Sequence, residues 1–409
     1  MSERAPVIIV GAGPAGATLA FVLVSRGVAV TLIERQSDFA RVFRGEVLMP
    51  SGIAALAQCG LGDLLDAVPH AAPDAIELYR DGKLAIRANA ADVLPAGVRV
   101  LSVSQPHLLE AIVARASTHA SFTFVRGAAV RDLLRDALGR VRGVRIDTER
   151  GPRELPARLV VGADGRASVV RRRGGFAVHK IGAPLDVVWA KLPWPACYGA
   201  RRPVRGYLGH AHLLIAIPAP DGLLQIAWVI RKGSYGVLRS RGPEEWVREM
   251  AAHVSPDLAD HVRAHARELT RPFLLDAETD RVQGWARPGA LLIGDAAHTM
   301  SPVGAQGLNV ALRDAVVAAN QLVPALRDEA ADASLDAAAR RIEAERGPEI
   351  DTIQAIAKRP PMIVMGTFPG AELVRAAVLA LAGTPPGRRA IVRVGGLLLN
   401  GLREQKLSV

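Results

Sequence analysis

Leu291-Leu292-Ile293-Gly294-Asp295-Ala296-Ala297-His298-Thr299-Met300-Ser301-Pro302-Val303-Gly304-Ala305-Gln306-Gly307-Leu308-Asn309 brings together a strand, a carboxylate, a glycine-rich turn and the start of a helix. Three apolar residues ending in Gly-Asp suit a buried parallel strand. Its last carboxylate then emerges at the C-terminal edge of the sheet, where open α/β sheets hold their ligands. Asp295 is thereby placed to accept ligand hydroxyls. Beyond it, Gly304 and Gly307 read as positions of positive φ and close backbone approach. Residues 308–322 continue with helical apolar spacing, with Asp314 on the exposed side. The start of such a helix offers free N–H groups to an anion.

A second strand, turn and helix open the chain. Val7, Ile8, Ile9 and Val10 run into Gly11-Ala12-Gly13-Pro14-Ala15-Gly16; residues 17–25 have helical composition and Gly27 ends them. This is the dinucleotide-binding pattern: Gly11, Gly13, Ala15 and Gly16 permit a tight turn, the approach of a pyrophosphate and close helix–strand packing, while the helix N-terminus faces the phosphates. Residues 28–33 form the next strand and end at Glu34, about twenty residues on, where a carboxylate suits the adenosine ribose hydroxyls. Arg35 beside it belongs to the same candidate set. A third stretch, Leu159-Val160-Val161-Gly162-Ala163-Asp164-Gly165-Arg166, again puts an aspartate after a buried strand, and Asp164 can also cap a helix near Ser168.

In this order and along most of the chain, the three stretches resemble the FAD motifs of the class A flavoprotein monooxygenases, the p-hydroxybenzoate hydroxylase-like family. The resemblance implies that Asp295 binds the ribityl chain of FAD, that N–H groups near Gly307, Leu308 and Asn309 face the flavin pyrimidine edge, and that the helix dipole there stabilises reduced flavin. It also implies that Pro302, through its carbonyl, and Gly304 line the reacting face. An arginine before the second helix reaches the FAD phosphates in that family; Arg44, followed by Gly45, suits this better than Arg41. Gln105, in Ser104-Gln105-Pro106-His107, inherits a contact with FAD, and Asp164 a part in both FAD and transient NAD(P)H binding. The fold implied is α/β: a Rossmann-like FAD-binding domain with an inserted antiparallel β-sheet substrate domain and C-terminal helices.

The alternation of strand and helix stops at Phe176. Patterns at 187–192, 205–208, 212–217 and 223–230 read as antiparallel strands, with Asp221-Gly222 turning the last pair, and 74–80 with 83–87 as a hairpin about Asp81-Gly82. The expected organisation is an FAD-binding domain over 1–73, 98–177 and 275–355, a substrate-binding sheet over 74–97 and 178–274, and a C-terminal helical segment over 356–409. A helix over 342–356 closes the FAD-binding domain. One face of the sheet should roof the flavin. Its apolar run at 213–217 disfavours a small acidic substrate and favours a hydrophobic aromatic one: a phenol, quinolone, quinone or polyketide-like ring. His210 and His212, near a turn, read as surface residues in preference to bases, and Arg171, Arg172 and Arg173 as a solvated face.

Against 40 acidic residues the chain carries 51 basic ones, nearly all arginine, with lysine only at positions 83, 180, 191, 232, 358 and 406. Arginine favours phosphate contacts. Without a lysine-rich run or aromatic-interleaved patch, the net charge of +11 reads as a surface that attracts NAD(P)H, NADPH being favoured, and no nucleic-acid partner is expected. Cys59 and Cys197 are too few for a disulfide framework and lack metal-ligand spacing, so a cytoplasmic enzyme without metal is expected. The amino terminus lacks the pattern of a signal peptide, and no segment is long enough to span a bilayer. The apolar C-terminal segment, with Arg388, Arg389, Arg393, Arg403 and Lys406, is expected to pack on the FAD-binding domain in preference to lying on an anionic membrane.

A single GxGxxG argues against a separate nicotinamide domain. The resemblance therefore implies a single-component monooxygenase, monomeric or homodimeric, in which NAD(P)H reduces FAD, oxygen adds to give a flavin hydroperoxide, and one oxygen passes to an electron-rich aromatic substrate. The competing expectations are an FAD-dependent reductase of the polyprenyl type, an oxidase, and a non-enzymatic FAD-binding protein. A flavin halogenase would carry a Trp-x-Trp-x-Ile motif, which the chain lacks.

Overall fold

The computed structural model describes residues 7–40, 46–182, 185–209, 212–269, 272–275, 277–302, 304–327, 331–364, 369–370, 373–374, 377, 380–381 and 384–409. Arg41, Arg44, Gly45, His210 and Val303 lie outside them.

The strand Val7–Val10 pairs in parallel with Leu159–Gly162 on one side and Val30–Glu34 on the other. Both faces are covered by helices or loops, so these apolar runs are buried along nearly their whole length without alternation. Phe122–Arg126 extends this sheet beyond Val30–Glu34, and Ala290–Leu292 extends it beyond Leu159–Gly162, with Ala286–Arg287 antiparallel at that edge. The register aligns Val10 with Gly162 and Ile33, and Gly162 with Leu292. The three sequence motifs therefore leave the sheet side by side at its C-terminal edge. The helix Pro14–Ser25, buried from Ala15 to Val24, packs against the helices Gln105–Ala116 and Gln306–Arg327.

A seven-stranded sheet forms the second layer, in the order Phe273–Leu275, Leu185–Leu192, Leu224–Arg231, His212–Pro218, Pro203–Gly209, Ala75–Arg80, Lys83–Asn89. The Asp81-Gly82 turn has φ of +50° and +73°, the handedness that a two-residue hairpin needs. One departure from the expected antiparallel sheet is the pair Pro203–Gly209 and Ala75–Arg80, which runs parallel. Its two strands come from different parts of the chain, so no hairpin dictates their direction. Alternation along the strands gives the sheet two apolar faces. Val188, Leu214, Ile226 and Trp228 pack under the helices Pro243–Ala252 and Pro256–Ala264, while Val187, Trp189, Ala227, Val229 and the half-buried Leu213 and Ile215 form the other face. His212 stacks on His253 and Trp228, on the helix side, away from that second face.

The expected helix over 342–356 is part of a longer one, Asp332–Val364. Leu398 near the end of the helix Pro385–Asn400, and Leu407 and Val409 after it, pack against the core of the first layer. Among the described residues no helix is long and apolar enough to cross a membrane.

Candidate active site

Gly11 leaves its strand at φ +99°, and a Cβ there would lie 2.5 Å from the Ala163 carbonyl oxygen. A Cβ on Gly16 would strike the Gly11 carbonyl, so both glycines are packing requirements. Gly13 differs. Its backbone is extended, at φ −71° and ψ −177°, and a Cβ would meet nothing within 4 Å. The space beside it is open at the start of the helix Pro14–Ser25, which has neither a side-chain cap nor an acidic residue in its first turn. Free N–H groups beside an opening are what an anionic pyrophosphate needs. Glu34 is buried at the end of its strand; one carboxylate oxygen accepts the Ala12 N–H at 2.9 Å and the other the Gln36 N–H at 3.1 Å. It thus shapes the glycine turn as well as facing it, while Arg35 is exposed.

The second motif turns at Gly294, φ +59°, where an added Cβ would lie 3.2 Å from the Ala15 side chain, so the two motifs lie side by side. Asp295 keeps a third of its side chain accessible and lies 3.5 Å from the Arg166 guanidinium of the Asp164 stretch. Asp314, expected on an exposed face, is instead fully buried. It accepts the Gly294 N–H at 3.0 Å, the His298 ring at 2.7 Å and the Arg346 guanidinium at 2.7 Å. Burial raises its pKa, but His298 and Arg346 outweigh this and hold the carboxyl down at about 2. Asp314 is buried because helix Asp332–Val364 brings Arg346 over a face that the sequence pattern leaves polar.

In the loop before the long helix, positive φ falls on Gly304 (+82°) and on Ala305 (+52°), not on the expected Gly307, which is already helical. A Cβ on Gly307 would meet nothing within 4 Å, so its approach side is open. Asn309 is fully buried and does more than cap the helix. Its side-chain oxygen accepts the Met49 N–H at 2.8 Å, and its nitrogen donates to the carbonyls of Ala305 at 2.9 Å and Val47 at 3.1 Å. It pins the segment that follows Arg44 to the start of this helix. Pro302 and Gly304 stand half-buried in the same loop.

Asp164 accepts the Ser168 hydroxyl at 2.5 Å and the Val169 N–H at 2.6 Å, capping the helix Val169–Arg173. Burial raises its pKa, opposed by these bonds. Arg171 is not solvated as expected: it reaches Asp280 at 3.2 Å, because the strand Asp280–Val282 lies behind the motif.

Sequence reasoning missed Glu46. It is buried, one of its oxygens has no hydrogen-bond partner, and the Gln105 N–H bonds its carboxylate. Burial pushes its pKa up to about 7, against the pull of Lys191, which projects from the sheet on the same face as Val187 and Trp189. A lone glutamate after Arg44-Gly45 carries no signal in the sequence. The apolar face of the second sheet thus looks toward the segment that joins Glu46 to Gln105.

Open backbone at Gly13 and Gly307, two free helix starts, the accessible Asp295 and the Glu34 turn fit FAD, lying across the edge where the strands end. Among the described residues no cluster of side chains is suited to a metal ion.

Comparison with known proteins agrees. The family model described as an FAD binding domain matches residues 4–346. A relative from Streptomyces rimosus, 6-methylpretetramide 4-monooxygenase, is 34% identical over 391 residues, covering 95% of this chain and 91% of that protein. Rifampicin monooxygenase of Streptomyces venezuelae is 28% identical, covering 90% of this chain and 73% of its own. The crystal structure of p-nitrophenol 4-monooxygenase PnpA from Pseudomonas putida superposes with a TM-score of 0.81 at 22% identity, covering 98% of this chain and all of that one, and so shows the shared fold. The chain belongs to the FAD binding domain family and, with it, to the FAD-dependent monooxygenases.

Proposed function

We propose that this enzyme uses NAD(P)H, with NADPH preferred, and dioxygen to hydroxylate a hydrophobic, multi-ring aromatic substrate of the polyketide type. The observation that carries the substrate class is the face of the second sheet built from Val187, Trp189, Leu213, Ile215, Ala227 and Val229, whose packed side chains are apolar, with Lys191 near the end of one strand. The relative acting on 6-methylpretetramide, similar along nearly the whole chain, supports the same class.

When bound, FAD supplies the redox chemistry: it accepts hydride from the nicotinamide and delivers one oxygen atom of O2 to the ring. The protein binds, orients and shields. Glu34 and the start of the helix Pro14–Ser25 would hold the ribose and pyrophosphate, with Gly11, Gly13, Ala15 and Gly16 giving backbone access. Asp295 would take the ribityl hydroxyls, Gln105 would contact the cofactor from the facing segment, Arg44 would reach its phosphates, and Asp164 with Arg166 would shape the approach of NAD(P)H. The N–H groups near Gly307, Leu308 and Asn309 would stabilise negative charge on the pyrimidine edge. The Pro302 carbonyl and the backbone at Gly304 would border the reacting face, where exclusion of water protects the oxygen transfer. The free thiols Cys59 and Cys197 suit a reducing cytoplasmic setting. Incubation with a panel of phenols, quinolones, quinones and anthraquinones should reveal NADPH oxidation that rises with one structural class. No stimulation by any aromatic compound would count against the substrate class.

A further inference from the structure

Gln306 ties its own loop to a segment 92 residues further along the chain. It is 2% exposed, and its amide nitrogen donates to the Gly304 carbonyl at 2.8 Å and to the Leu398 carbonyl at 2.9 Å. A primary amide has two N–H donors. Here one holds the loop at the proposed reacting face and the other holds the helix Pro385–Asn400. The loop needs holding, because Ala305 adopts a φ of +52° that non-glycine residues rarely visit.

Leu398 lies directly on that loop. Its two methyl carbons are 3.6 and 3.8 Å from the point a Cβ of Gly304 would occupy. The end of the helix is fixed from behind: Leu402 donates its N–H to Glu349 at 3.0 Å, Arg313 donates to the Arg403 carbonyl at 2.6 Å, and Leu407 donates its N–H to Gln58 at 2.7 Å. A branched apolar side chain is therefore held at a set depth beside the loop, while Val394, a turn earlier on the same helix, is exposed.

We infer that Leu398 is a specificity-determining residue, the fixed wall that limits how large a fused aromatic system can lie beside Pro302 and Gly304, with Gln306 as the residue that positions it. The inference rests on that loop being the reacting face, as proposed above. A smaller side chain widens the space beside Gly304; a larger one closes it to wide ring systems. Loss of the Gln306 amide lets the helix end drift from Gly304 and has the effect of a smaller residue at 398.

The test uses FAD-loaded protein with a one-ring probe, p-nitrophenol, and a three-ring probe, 1,8-dihydroxyanthraquinone, each titrated by its perturbation of the flavin absorption spectrum. Leu398→Trp should weaken the three-ring probe about tenfold or more, the size of effect a changed pocket wall produces, and leave the one-ring probe unchanged. Independently of any ligand, iodide quenching of flavin fluorescence should rise in Leu398→Ala and in Gln306→Met, with no further rise in the double variant, and stay at the wild-type level in Val394→Ala. Melting temperature and retained FAD identify any variant that has simply misfolded. Equal affinity for both probes in wild type and Leu398→Trp, with unchanged quenching in Leu398→Ala and Gln306→Met, would overturn the inference. If neither probe perturbs the wild-type flavin, the proposed substrate class fails, while the quenching result still decides whether Leu398 walls the flavin.

Discussion

Asp314 accepts the backbone N–H of Gly294 at 3.0 Å, so the turn that presents Asp295 is held by a carboxylate from the middle of the next helix. The same side chain meets Arg346, also fully buried, and Glu349 completes the group by contacting both Arg346 and Arg313. Removing one partner of such a set leaves the others charged and desolvated. Asp314→Ala should therefore lose about 3 kcal/mol or more of stability, and FAD with it, in urea unfolding followed by flavin fluorescence. Its carboxyl pKa is depressed, so its contribution is present above the ordinary carboxylate range and is lost only as pH falls toward about 2. An Asp314→Ala protein as stable as wild type would refute this account of the turn.

Gly13→Val should separate binding from folding. The extended backbone accepts a branched residue and a Cβ there meets no protein atom, so the variant should melt near wild type. FAD should nevertheless be lost, because the side chain fills the opening in front of free helix N–H groups. Visible absorbance after gel filtration reads this directly; a yellow, FAD-saturated variant would show that the phosphates lie elsewhere.

What could be read from the sequence was local. Gly11 to Gly16 with Glu34, and Asp81-Gly82, are decided by turn geometry within a few residues or one strand–helix unit, and the structure has the expected shapes there. The helix after Asn309 was also legible, but not what it serves: the Asn309 bond to Met49 spans 260 positions. Asp314, Arg171 and Glu46 were misjudged or missed for one reason, that a charged side chain looks solvated until a distant segment is laid over it. The positive φ at Ala305 likewise has no sequence signal; side-chain bonds from Gln306 and Asn309 accompany it in the loop. Arg44 lies outside the described residues.

Glu46→Gln should change the pH dependence of stability. Below the ordinary glutamate value both folded and unfolded chains hold the proton. Between about pH 4.5 and pH 7 the unfolded chain releases it while the folded one keeps it, so stability falls as pH rises through this window. The raised value corresponds to a loss on the order of 3 kcal/mol across the window, which the neutral amide should abolish. Parallel stability–pH curves for wild type and variant would show that Glu46 is ionised throughout.

Asp295→Ala should weaken FAD binding by about 1.5–3 kcal/mol, the worth of a charged hydrogen bond, and should leave folding intact because the side chain is partly accessible. Isothermal titration of the apoprotein with FAD gives the number. Unchanged affinity would remove Asp295 from the ribityl site.

The most direct test of the central claim is a turnover of the FAD-loaded enzyme with NADPH, isotopically labelled dioxygen and the aromatic compound that most stimulates NADPH oxidation, followed by mass spectrometry of the product. A monooxygenase built as described incorporates one labelled oxygen atom into the ring per substrate hydroxylated. A product that is reduced or dehydrogenated without labelled oxygen would contradict the account and make the chain a reductase or oxidase on the same fold.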